Sequence, residues 1–87
     1  MKQSQEIRFP VDWEFRIIVE AEKAEAAKPR IVDCLERREI VPAIHEGLGS
    51  SGGRYTSFKV PVLLTGREMM NRLAAELAAI DGVKFVL

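Results

Sequence analysis

The sequence predicts an α+β sandwich built in the order strand, helix, strand, strand, helix, strand, and three observations predict it. Apolar residues alternate with period two over 12–19 and again over 55–64, the mark of strands with one buried face. Two stretches, after Pro29 and after Thr65, instead repeat apolar residues at helical spacing. With one cysteine in 87 residues there is no internal disulfide, so the 47% of apolar residues must hold the fold by packing alone.

The first strand covers roughly residues 12–19, where Trp13, Phe15, Ile17 and Val19 alternate with Glu14, Arg16, Ile18 and Glu20. Trp13 is expected to anchor the core near the strand's start. The next stretch, Glu20 to Lys28, has helix-forming composition, yet a proline inside a helix loses a hydrogen bond and clashes, at about 3 kcal/mol. The first helix is therefore expected to start near Pro29, with 20–28 as an approach loop holding at most a helical turn. Ile31, Cys34 and Leu35 form its apolar face, and Cys34 reads as a small buried hydrophobe rather than a reactive thiol.

Ile40 to His45 reads as a short strand, and Pro42 puts it at a sheet edge, where a missing donor does least harm. His45 reads as an exposed residue of that strand, since no second ligand stands at metal spacing. Four glycines between Gly47 and Gly53 then make a loop that leads into the third strand, Tyr55 to Leu64. Phe58, Val60, Val62 and Leu64 point one way, and Tyr55, Ser57 and Lys59 the other. Pro61 suggests that pairing on one side of this strand weakens or bulges beyond Val60.

Thr65-Gly66-Arg67-Glu68 matches a capping box and opens the second helix at about Gly66. Met69, Met70, Leu73, Leu77 and Ile80 face its core side. Asp81-Gly82 ends it with a turn, and Val83 to Leu87 forms the last strand. Two split units of this kind close into a four-stranded antiparallel sheet of order 4-1-3-2 with both helices on one face, the ferredoxin-like plan. Residues 1–8 are expected to be a flexible segment and 9–87 the single domain.

Thirteen basic residues balance thirteen acidic ones, so no net field draws the chain to nucleic acid or to an anionic membrane. No stretch reaches transmembrane length and the N-terminus lacks a signal-peptide core, which implies the cytoplasm. A homodimer is compatible with so short a chain but not required.

The 47–57 segment alone looks written for more than folding. Its glycines, Ser50, Ser51 and Arg54 could hold a phosphate or carboxylate, yet a strand follows rather than a helix and the P-loop lysine is missing. No His stands ready to activate a serine, so no catalytic residue, metal or cofactor is expected. Comparison with the RNA-recognition motif finds one outward aromatic, Tyr55, which disfavours nucleic acid.

Phe9-Pro10 before the first strand, Pro29-x-x-Val32-Asp33, Ser50-Ser51-x-Gly53-x-Tyr55-x-Ser57 and Ile80-Asp81-x-Val83-x-x-Val86-Leu87 resemble the YbeD-like family of small bacterial proteins, a domain of unknown function. The resemblance spans about residues 9–87 and implies a ferredoxin-like fold similar to ACT regulatory domains, a cytoplasmic setting and a regulatory or ligand-binding role by analogy of fold. The sequence thus points to a non-enzymatic module that binds a protein partner or a small anionic metabolite. Its expected surface is Ser50, Ser51, Gly53, Arg54, Tyr55 and Ser57 with Arg16 and Lys59. Alternatives are a dimerisation or protein-contact adaptor without a small ligand and, less favoured, an RNA-binding module.

Overall fold

The computed structural model describes residues 8–47 and 53–87. The expected flexible segment 1–8 falls outside these residues except for Arg8, and Ser50 and Ser51 fall outside them too. Strand β1 is Val11–Glu20, followed by a 3-10 turn, Ala21–Lys23, and helix α1, Ala24–Arg37. Then come β2 (His45–Glu46), β3 (Tyr55–Leu64), α2 (Arg67–Ala78) and β4 (Val83–Val86). The sheet runs β2-β3-β1-β4, the expected 4-1-3-2 order read from the opposite edge, and every pairing is antiparallel.

The alternation of β1 and β3 builds the core. Phe15, Ile17 and Val19 lie beside Phe58, Val60, Val62 and Leu64 on one side of the sheet, all buried. Ala27, Ile31, Cys34 and Leu35 of α1 and Leu73 and Leu77 of α2 join the same cluster, so both helices cover that side. Trp13 is only half-buried. It packs at the margin, edge-on to Phe15 with ring centroids 6.5 Å apart.

Four local expectations need correction. Helix α1 begins at Ala24, not near Pro29, and carries Pro29 inside it. Ala27 lies one turn before Ile31 and is as deeply buried, so docking the extra turn removes apolar surface from water. Pro29 lies on the exposed side, where water can reach the Glu25 carbonyl that loses its donor. The edge strand is two residues, His45 and Glu46, instead of Ile40 to His45; Ile40 and Ile44 instead pack partly buried against the core.

The cap of α2 is Gly66, with no side-chain capping bond; Thr65 Oγ1 instead lies 3.5 Å from Met69 Sδ. Strand β4 ends at Val86, although Leu87 and Arg16 still exchange backbone hydrogen bonds of 2.8 and 3.0 Å. Gly82 makes the turn into β4 at φ 95, which favours glycine, and a Cβ there would lie 2.8 Å from Lys23 Cβ.

Pro61 behaves as its chemistry requires. The Gly47 N–H donates to the Ser57 carbonyl at 2.7 Å, so odd-numbered residues of β3 direct their backbone groups toward β2 and even-numbered ones toward β1. The donor that Pro61 lacks therefore belongs on the β2 side, where pairing stops at Lys59. The β1–β3 ladder continues unbroken through Glu14 and Pro61.

Candidate binding face

Both helices lie on one side of the sheet, so among the described residues no helix covers the opposite side, and the register fixes which residues it presents. Directly opposed residues share a face. Asp12 with Leu63, Glu14 with Pro61, Arg16 with Lys59, Ile18 with Ser57 and Glu20 with Tyr55 therefore form successive rows of the open face. His45 extends the Arg16–Lys59 row through its pairing with Lys59, and Leu87 extends it on the far side through the Arg16 backbone bonds. Phe85 joins beside Ile18.

Two properties set this face apart. Arg16 and Lys59 are direct cross-strand neighbours of like charge, a destabilising arrangement, and neither forms an ion pair among the described residues. Leu63, Phe85 and Leu87 are 55%, 62% and 64% exposed, leaving three large apolar side chains in water on the same side. A face serving only as a solvated exterior would gain by placing an acid opposite Lys59.

The fold brings Arg16, Tyr55 and Lys59 onto this face, as the sequence predicts. Ser57 shares their register but not their exposure. Gly47 lies beside it in the sheet, so close that a Cβ at Gly47 would collide with Ser57 Oγ, and Ser57 is buried. Gly53 and Arg54 stand apart, at the end of the sheet, lining a cleft of about 380 Å³ with Tyr55, Glu20, Ala21 and Glu22. The Ala21 N–H donates to the Arg54 carbonyl at 2.7 Å and closes one wall. Among the described residues this cleft offers an anion two carboxylates and one guanidinium. Phe85, Leu87 and His45 are the residues that sequence reasoning left out of the site. Alternation about Ile18 could have flagged Phe85, had the β1–β4 register been known.

On the helix side, Arg38 at the end of α1 holds Glu76 of α2 through Nε at 3.1 Å and through Nη2, and Cys34 Sγ lies 3.4 Å from Glu76 Oε1. Cys34 is buried, as the sequence predicts. Burial, with Glu76 beside it, pushes its thiol pKa up. The hydrogen bond from Arg38 holds the Glu76 carboxyl below its ordinary value of 4.5. A carboxylate with a depressed folded pKa contributes stability above the unfolded value and loses it as pH falls through the folded one. Solvent screens this half-exposed pair, so the effect is small. Denaturation of Glu76→Gln should therefore show a shallower loss of stability below about pH 4.5 than the parent chain. Identical acid profiles would exclude this pair as a contributor.

Fold and face together define a ferredoxin-like α+β protein with a two-helix layer on one side of its sheet and, among the described residues, a helix-free face of mixed charge and exposed apolar residues on the other. The chain belongs to the DUF493 family, described as "Protein of unknown function (DUF493)", which matches residues 4–87. This agrees with the YbeD-like resemblance. A UPF0250 protein from Shewanella sediminis (strain HAW-EB3) is 31% identical over 81 residues, covering 93% of this chain and 90% of that protein.

Two solved structures share the fold. The solution structure of HP0495 from H. pylori superposes with a TM-score of 0.77 at 19% identity, covering 98% of this chain and 89% of that one. The C-terminal domain of MgtC from Mycobacterium tuberculosis gives 0.69 at 20% identity, covering 93% and 88%. Among the described residues, no helix is long and apolar enough to cross a membrane.

Proposed function

We propose that this protein is a non-enzymatic regulatory module of the cytoplasm that acts by binding a protein surface across the open face of its sheet. The supporting observation is the Arg16–Lys59 row, without an ion pair among the described residues and flanked by exposed Leu63, Phe85 and Leu87. Bare cations beside bare apolar side chains suit a contact that supplies carboxylates and covers hydrocarbon together. A small ligand could satisfy the charges but not cover side chains spread over three strands. RNA fits less well, because Asp12, Glu14 and Glu20 share the face and repel phosphates.

The test compares proteins retained from lysate by the immobilised chain, by a Lys59→Glu/Phe85→Ser variant, and by Arg72→Ala on the helix side. The expected outcome is a retained set that disappears with the open-face variant and survives Arg72→Ala. Retention of the same set by all three would sink the reading.

A further inference from the structure

We infer that the occupant of the open face is a second copy of this chain, packed sheet against sheet about a two-fold axis. This rests on the reading of the open face as a protein-binding surface and names the partner. A two-fold contact uses the same patch on both subunits, so the patch must complement itself. The charges along this face do so. On β1, carboxylates at Asp12 and Glu14 precede the guanidinium of Arg16, and the Arg16–Lys59 row lies directly beside the Glu14–Pro61 row.

Charge selects the axis. An axis parallel to the strands between β1 and β3 sets Arg16 of one copy over Lys59 of the other, and an axis along β1 sets Arg16 over Arg16. Both bring like charges together. An axis across the strands, between the Glu14 and Arg16 rows, sets Glu14 over the partner copy's Arg16 and Arg16 over its Glu14. Each Arg16 then gains the acid that its own sheet does not place opposite it. Sheets stacked face to face sit about 10 Å apart, within reach of a Glu–Arg pair extended from both sides. The same axis lays the Asp12–Leu63 row over the partner copy's Ile18–Ser57 row, so Ile18 and the exposed Leu63 lie between the sheets.

A charge-swap series on the full chain, read by sedimentation equilibrium, tests this. The parent chain should self-associate. Glu14→Arg and Arg16→Glu should each weaken association at least about tenfold by setting like charges across the interface. The double variant Glu14→Arg/Arg16→Glu should restore it. Folding is followed by thermal melting of the same samples. Arg16→Glu places an acid opposite Lys59 within one chain, so at a dilution where both chains are monomeric it should melt no lower than the parent, which separates lost association from lost structure. A monomeric parent, or single variants that associate as well as the parent, overturns the proposal. If the parent is monomeric while Lys59→Glu/Phe85→Ser still abolishes capture of another protein, only the identity of the partner is wrong. If capture is also unaffected, the binding face itself falls.

Discussion

Replacing Leu73 with alanine is expected to remove about 2–5 kcal/mol of stability, the range for a fully buried leucine whose cavity cannot collapse. Leu73 is 0% exposed and sits on the middle turns of α2, within the same cluster as Ile17, Val60 and Leu64. The strand residues of that cluster on β1 and β3 are held by an unbroken ladder, so the sheet cannot move in to fill the space. A domain of this size holds roughly 4–13 kcal/mol in all. The loss should therefore lower Tm by roughly 10–40 °C, at about 4–8 °C per kcal/mol. Urea unfolding at unchanged m-value measures it, and Leu73→Met, which nearly conserves volume, should lose less than about 1.5 kcal/mol. A loss below about 1 kcal/mol for Leu73→Ala would contradict the placement of α2 on the sheet.

Pro29→Ala is expected to act in the opposite direction and stabilise the chain by about 1–2 kcal/mol. Proline inside a helix is about 3 kcal/mol less favourable than alanine, and its stiffening of the unfolded chain returns roughly 0.4–1 kcal/mol. Part of the helix penalty is relieved at an exposed position, where water can serve the freed carbonyl. Pro29 is exposed and is not one of the buried residues Ala27, Ile31, Cys34 and Leu35 of the helix, so alanine removes little packing. Tm should rise by roughly 4–16 °C. An unchanged or lower Tm would show that the helix already relieves the missing bond without loss.

These two residues mark how far local patterning reaches. Leu73 was legible as core because helical spacing alone places it with Met69, Met70, Leu77 and Ile80. Burial then graded that set, with Leu73 and Leu77 inside and the others only partly covered. Pro29 misled because local propensity says where a helix prefers to start, whereas docking of Ala27 against the sheet decides where it does start. The short edge strand failed for a related reason. Ile40 and Ile44 turn toward the core, which draws the 40–44 segment away from pairing with β3.

The binding face divides in the same way. Alternation along β1 and β3 assigns Arg16, Tyr55 and Lys59 to the side away from the core, and the structure puts them there. Ser57 has the same parity, yet it is buried and packs against Gly47, a contact between residues ten apart that no periodicity records. Phe85 and His45 enter through strand pairings with partners far along the chain.

By itself, then, the sequence determined the α+β class, the order of elements, the two central strands with their inward residues, and the family, because period and turn chemistry are local properties of a chain. Only the tertiary structure decided the start of α1, the length of β2, the burial of Ser57, and above all the register that sets Arg16 against Lys59 beside Glu14. Register arises from pairing distant segments, and a slip of one residue would send every side chain of a strand to the other face.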